Sequence, residues 1–343
     1  MKIFSTVKVA ALILGLGVSL PGHAKPEYTF VLGHLSLPGS LMQDAVEEIP
    51  GRVSKATNGR VEVTTNSSLV NQSRLLEGVR DGIIDMTIPL NGGYAGTNPE
   101  YQLALLPGIS DSTIDNMMNI VKQPEYSKAV QQMLDKKYKA IELLYGAWCP
   151  QVLFSNREVS KIEDWKGLRV MAHNPGLARV INAVGGQPAT LSMTERIPAL
   201  QRGVIDGVVG DSCGAYGQGI YDVVKHASLW PLGSTPPWHL VMNKESWESL
   251  PPDLQKAIQD DFAEFQKEIL AKWVKTADAL PGMFEAKGVT WHQVSKEDAA
   301  KFGAMENVQP LFDVWYDAMK SRGAYKGDPR ELEQAVRSVI VAQ

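Results

Sequence analysis

Apolar side chains recur along this chain with two periods, and the changeovers between them outline its elements. Tyr28 to Leu32 is a β-branched and aromatic run closed by Gly33, which predicts a strand. Leu41, Ala45, Val46, Ile49 and Val53 follow helical spacing, and Pro50-Gly51 inside that stretch predicts a kinked or shortened helix. Asn58-Gly59 marks a turn, Val61 to Thr64 a strand, Arg74 to Arg80 a helix, and Gly82 to Ile88 a turn into another strand. Residues 112–139 read as mainly helical, with strands at 140–145 and 152–154.

The stretch from Asp164 to Gly210 has the clearest order. Leu168 to Met171 is a short strand, Leu177 to Val184 is apolar-periodic, and Gly185-Gly186 breaks it before a second run at Pro188 to Leu191. A helix over Thr194 to Arg202 and a turn into the strand at Val204 to Val209 complete a strand–helix–strand–helix–strand series, the signature of a parallel βαβ arrangement. Asp211 to Gly219 is glycine-rich and flexible in character. Val223 to Leu229 leads into the Pro236-Pro237-Trp238 loop, and a strand is expected at His239 to Met242. After Pro251-Pro252-Asp253, a helix start, apolar residues from Leu254 to Leu280 keep one stripe until Pro281-Gly282. That helix would be roughly 40 Å long at 1.5 Å per residue, enough to lie across two lobes. Further helices are expected at Phe302 to Met319 and Glu331 to Val341.

An internal echo suggests what those lobes are. Gly82-Ile83-Ile84-Asp85 and Gly203-Val204-Ile205-Asp206 each follow a short helix and open an apolar run. Gly59 to Val63 likewise matches Gly167 to Met171, which makes two similar α/β lobes the expectation.

Composition narrows the setting. Lys2 and Lys8, the apolar run Ala10 to Leu20 and the small residues Gly22-His23-Ala24 form a secretory leader over residues 1–24, cut after Ala24. Its removal takes away two of the 34 basic side chains and none of the 38 acidic ones, moving the net charge from −4 to −6. The expected product is an exported, soluble, monomeric chain of about two domains. Its acidity argues against nucleic acid, which needs a basic face. Cys149 and Cys213 are the only cysteines, and a single bridge or two buried thiols both fit.

Catalytic or metal-binding patterns are sparse. His34, His173, His226, His239 and His292 are scattered, and neither metal-ligand spacing nor a Gly-x-Ser-x-Gly elbow or P-loop is present. No cofactor, metal or enzymatic activity is therefore expected. The positive signal is Arg169, an arginine inside an apolar strand whose following loop, His173 to Gly176, opens a helix. Such a guanidinium can hold a carboxylate through two parallel hydrogen bonds. The alternative is an edge-strand arginine facing solvent or pairing with Asp164 or Glu195. Trp148, Trp238, Tyr94 and Gln151 lie at chain reversals where they could stack on or orient a ligand, or anchor a loop on its own lobe. Asp211 follows an apolar strand and could receive a ligand hydroxyl or amine, or be a solvated loop carboxylate.

Lys166-Gly167-Leu168-Arg169-Val170, Gly185-Gly186-Gln187-Pro188 and the run Glu195-Arg196-Ile197-Pro198-Ala199-Leu200-Gln201-Arg202-Gly203-Val204-Ile205-Asp206-Gly207 together resemble the periplasmic solute-binding subunits of TRAP (tripartite ATP-independent periplasmic) transporters. The resemblance covers most of the chain after the leader. It implies a two-lobed, periplasmic-binding-protein-like α/β fold with a long helix spanning both lobes. It implies a receptor that closes on a small organic acid, with Arg169 on the ligand carboxylate, and delivers it to the small and large membrane subunits. Other ligand-facing positions would fall on Asn91, Gln151, Met193 and Asp211. Two positions depart from the family pattern: Val152 stands where many dicarboxylate and sialic-acid binders carry a second arginine, and Ile197 replaces a common aromatic. A ligand with one carboxylate follows, because a second would lack its guanidinium. The expected lobes are residues 25–150 with about 239–276, and 151–238 with about 277–343. A sensory protein feeding a receptor kinase, or a periplasmic enzyme, are the rival readings.

Overall fold

The computed structural model describes residues 25–35, 40–89, 94–107, 109, 113–191, 195–233 and 237–340. The expected leader, Asn91 and Met193 lie outside them.

Each half of the chain winds the same way. β1 (Tyr28–Gly33) leads into the helix Leu41–Ala56, then β2 (Val61–Asn66), the helix Leu75–Arg80 and β3 (Met86–Thr87). β2 and β3 flank β1 and both run parallel to it. After β4 (Ala140–Gly146) and β5 (Gln151–Ser155), the pattern repeats. β6 (Arg169–Met171) is followed by the helix Pro175–Ala183, β7 (Gln187–Ala189), the helix Arg196–Gln201 and β8 (Gly207–Asp211). β7 and β8 flank β6, again in parallel. The sequence echo is therefore a repeat of topology, with one correction: β6 corresponds to β1, not to β2.

The Gly-x-Ile-Asp turns show why. The Asp85 carboxylate accepts the Val31 amide at 2.8 Å while its own amide donates to the Val31 carbonyl. Asp206 makes the same pair of bonds with Arg169. Each aspartate thus clamps the first strand of its lobe to the third.

Two antiparallel insertions finish the sheets. β10 (Trp238–Asn243) lies between β3 and β4, giving the order β2-β1-β3-β10-β4. In the second lobe β5 pairs with β8 and with β9 (His226–Leu229), and β11 (Thr290–Gln293) closes the edge, giving β11-β9-β5-β8-β6-β7. β11 has no counterpart in the sequence reading, because its edge position leaves all four residues exposed or half-buried and erases the apolar alternation.

Two prolines break fewer helices than expected. Leu41–Ala56 runs through Pro50, held by the buried stripe Met42, Ala45, Val46, Ile49 and Val53. The long helix runs Pro252–Glu285, 34 residues or roughly 50 Å, past the stop expected at Pro281. Leu280 and Phe284 are buried on either side of that proline, so packing outweighs one lost backbone hydrogen bond. The front of this helix lies on Leu41–Ala56 and β4, and its end on β11 and the helix Ser212–Gly217. It therefore braces both lobes.

The tail differs from the expected division. Lys296–Phe302 stays with the second lobe, where Asp298 accepts the Ile162 amide at 3.0 Å. Pro329–Arg337 packs on the first lobe, and Met305–Arg322 lies on both, against Pro99–Gln102 of the first and Pro175–Ala183 of the second. Trp315 donates to the Pro99 carbonyl at 2.8 Å, buried Glu100 accepts the amides of Ala324 and Tyr325, and Tyr325 donates to Glu125 at 2.7 Å. Among the described residues no helix is long and apolar enough to cross a membrane.

Candidate ligand-binding site

Strand direction decides which edges of the sheets meet. The chain leaves β4 at Gly146 and enters β5 at Gln151, and it leaves β9 at Leu229 to enter β10 at Trp238. Gln151 pairs with Asp211 at the carboxyl end of β8, and Trp238 pairs with Gly146. Both crossovers thus join the carboxyl edges of the parallel strands, the edges where α/β sheets bind ligands. A cleft of about 490 Å³ opens between them, lined among others by Leu105 and Leu106 of the first lobe and by His173, Pro175 and Arg179 of the second.

Arg169 is not at this edge. It is the first residue of β6, level with Asp206, so roughly 16 Å of strand separates it from Asp211. Its Nε and Nη2 donate to the two Asp206 oxygens at 3.0 and 2.7 Å. That partner is neither Asp164 nor Glu195. The hydrogen bond to Asp206 raises the Arg169 guanidinium and holds the Asp206 carboxyl below its ordinary range. The first lobe explains the arrangement: Val31 stands at the equivalent position, and Ser246 donates at 2.7 Å to the Asp85 oxygen that Val31 cannot reach. Arg169 does for Asp206 what Ser246 does for Asp85.

Three aromatic candidates are anchors in the described structure. Tyr94 is 4% exposed; its hydroxyl accepts the Leu76 amide, donates to Glu77, and its ring meets Tyr138 edge-on. Burial raises its hydroxyl well above the usual phenol range. Trp148 and Trp238, one from each crossover, both pack on Trp273 of the long helix, with ring centroids 5.7 and 5.8 Å away. Trp238 also donates to the Ala147 carbonyl, and any side chain at Gly146 would strike its ring. Together they tie both crossovers to the long helix.

Gln151 and Asp211 do meet, at the carboxyl edge of the second sheet. Gln151 is 1% exposed and donates through Nε2 to the Gly233 carbonyl at 3.0 Å, while its Oε1 has no partner. Asp211 Oδ1 accepts the Gly214 amide at 2.6 Å and caps Ser212–Gly217, the segment expected to be flexible; Oδ2 is unpartnered. Burial pushes this carboxyl up to about 7. Cys149 and Cys213 form a disulfide with Cα atoms 5.7 Å apart, tying the first crossover to that helix.

Arg196 also stands at this edge. It begins the helix between β7 and β8, which places it at the carboxyl edge, and it is 3% exposed. Its Nη2 donates to Gln218, and its Nε has no partner. Among the described residues it forms no ion pair with Asp211, although each alters the other's proton affinity. A charged residue two positions before a helical Pro198 was the available signal.

Two α/β lobes, their sheets joined at two crossovers and braced by one helix around an open cleft, define a two-lobed solute-binding protein. The sequence profile of bacterial extracellular solute-binding protein, family 7 (DctP), matches residues 32–318. The chain belongs to this family, that of the TRAP solute-binding proteins it resembles. It is 25% identical over 318 residues to the C4-dicarboxylate-binding periplasmic protein DctP of Rhodobacter capsulatus, covering 89% of this chain and 91% of that protein. A solute-binding protein of Roseobacter denitrificans is 24% identical over 330 residues, covering 91% of this chain and 98% of the relative. Among solved structures, DctP7 of Bordetella pertussis, an extracytoplasmic solute receptor binding pyroglutamic acid, superposes with a TM-score of 0.76 at 19% identity, over 90% of this chain and 99% of its own. A TRAP periplasmic solute-binding protein of Desulfovibrio salexigens with bound orotic acid gives 0.75 at 23% identity, over 91% and 100%.

Proposed function

We propose that this chain is the solute receptor of a TRAP transporter, which captures an organic acid with one carboxylate outside the cytoplasm and hands it unchanged to the small and large membrane subunits. The observation that carries this reading is the family match over residues 32–318, on a fold whose carboxyl sheet edges face each other across a cleft. Relatives of this fold hold pyroglutamic and orotic acids. Val152 supports a single carboxylate: it is fully buried among apolar side chains and supplies no second cation. Capture through Arg169, the choice made from sequence, requires its guanidinium to leave Asp206.

A thermal-shift screen of mono- and dicarboxylates on refolded, ligand-free protein tests this function. Monocarboxylates should raise the melting temperature, and mass spectrometry should recover the bound acid unchanged. A preference for dicarboxylates would overturn the one-carboxylate reading. Conversion of the acid to a product would point to an enzyme instead.

A further inference from the structure

Three buried polar groups stand together at the carboxyl edge of the second lobe's sheet. Arg196 Nε and Gln151 Oε1 are shielded from solvent and unbonded, and Asp211 Oδ2 has no partner at full hydrogen-bond geometry, with the Cys149 amide its neighbour. Leaving such a group unpaired is costly, and a buried guanidinium is costliest because it stays charged. The groups are neighbours by construction: Gln151 and Asp211 face each other across the β5–β8 ladder. A Cβ at Gly210 would stand 3.6 Å from Arg196 Nη1, so the guanidinium lies against the end of the same strand. The Gln151 amide has a fixed orientation, since its Nε2 must face the Gly233 carbonyl, and its free oxygen can only accept.

We propose that Arg196 binds the ligand carboxylate, and that Gln151 and Asp211 select acids carrying a hydrogen-bond donor, a 2-hydroxyl or a ring N–H, beside that carboxylate. This assignment rests on the organic-acid reading above and gives it an anchor and a ligand class. A carboxylate supplies the anion that Arg196 lacks, through charge-assisted bonds. An adjacent donor satisfies Gln151 Oε1, which a 2-oxo group cannot do because it only accepts. Sites built to bond a hydroxyl or N–H reject the analogue without it, because their own polar group is then left unpaired.

The test is calorimetric titration of the refolded full chain with two matched sets of acids. L-lactate, pyruvate and propionate form the small set; mandelate, benzoylformate and phenylacetate form the aromatic one. In the set that fits the cleft, the hydroxy acid should bind at least ten-fold tighter than the oxo acid, and the plain acid weakest. R196A should weaken the hydroxy acid at least 100-fold, R196K should fall between, and Q151L should narrow the gap between hydroxy and oxo acids. Circular dichroism melts accompany each variant, and R196Q replaces R196A if the latter does not fold. A merely structural Arg196 would lower the melting temperature and leave both affinity and selectivity in the folded fraction unchanged, which overturns the assignment alone. Oxo or plain acids binding as tightly as hydroxy acids would overturn the selection by Gln151. No binding of any acid to the parent chain overturns the organic-acid reading itself, and this assignment with it.

Discussion

At Asp206 one carboxylate fastens two strands, and Arg169 completes its hydrogen bonds. Replacing Arg169 by alanine should lower the urea midpoint only slightly, since its side chain is 43% exposed and water screens the pair. Asp206→Ala should cost more, because the bond to the Arg169 amide is lost as well. Ligand affinity should survive R169A; its loss at an unchanged melting temperature would restore Arg169 as the anchor. Asp211 gives a prediction in pH. Its folded carboxyl titrates near 7 against an ordinary 3.8, so the folded state keeps a proton that the unfolded chain has lost between those values. This group's contribution to stability is therefore full below about pH 4, falls as pH rises toward 7, and is level above it. Asn at 211 can still accept the Gly214 amide, so D211N should melt with a flatter dependence over that window and gain on the parent protein at pH 8. Parallel melting curves across the range check this. Arg169 was legible in the sequence as an odd residue, but its partner was not, because Asp206 lies 37 positions away and only strand pairing brings them together.

Elements were read best where one face is buried throughout. The alternating strands and helices from Leu168 to Val209 match the parallel order of β6, β7 and β8, since the buried residues of β6 and β8 and the turn glycines leave strong local signals, while β7 is an exposed edge strand. Elements whose shape depends on a distant partner were misread. Ser212–Gly217 looked flexible because of its glycines, yet it is a helix capped by Asp211 and held by Cys213. The bridge closes a loop of 64 residues, which in the chain-entropy account restricts the unfolded chain by about 4 kcal/mol. The double variant C149S/C213S should lose a stability of that order, and the parent protein should approach it in reducing buffer. Equal urea midpoints for the two would show that the bridge contributes nothing.

At the scale of the molecule, the two lobes depend on the crossovers and the brace. Trp273 is buried where Trp148 and Trp238 converge on the long helix, so one side chain couples both crossovers to it. Trp273→Ala should cost about 3–5 kcal/mol, the usual range for a buried tryptophan. It should also weaken ligand binding, because the contact that joins both crossovers to the long helix is lost. Closure around a bound acid should lower the radius of gyration in small-angle scattering, and a ligand-bound profile identical to the free one would rule out closure as the capture step. The fastening of Met305–Arg322 to Pro99 and of Ala324 to Glu100 was not legible in sequence. An apolar stripe tells that a helix is buried, never against which lobe.

Local patterning by itself determined the alternating elements, the repeated Gly-x-Ile-Asp turns and a helix long enough to span two lobes. Those features rest on periodicity and turn chemistry, which act over a few residues. Only the tertiary structure decided which edge of the second sheet each of two arginines occupies. β6 carries Arg169 at its amino end, and the helix after β7 begins with Arg196 at the carboxyl end of the same sheet. Strand direction and register, set by pairings between distant segments, sort the two guanidinium groups to opposite edges.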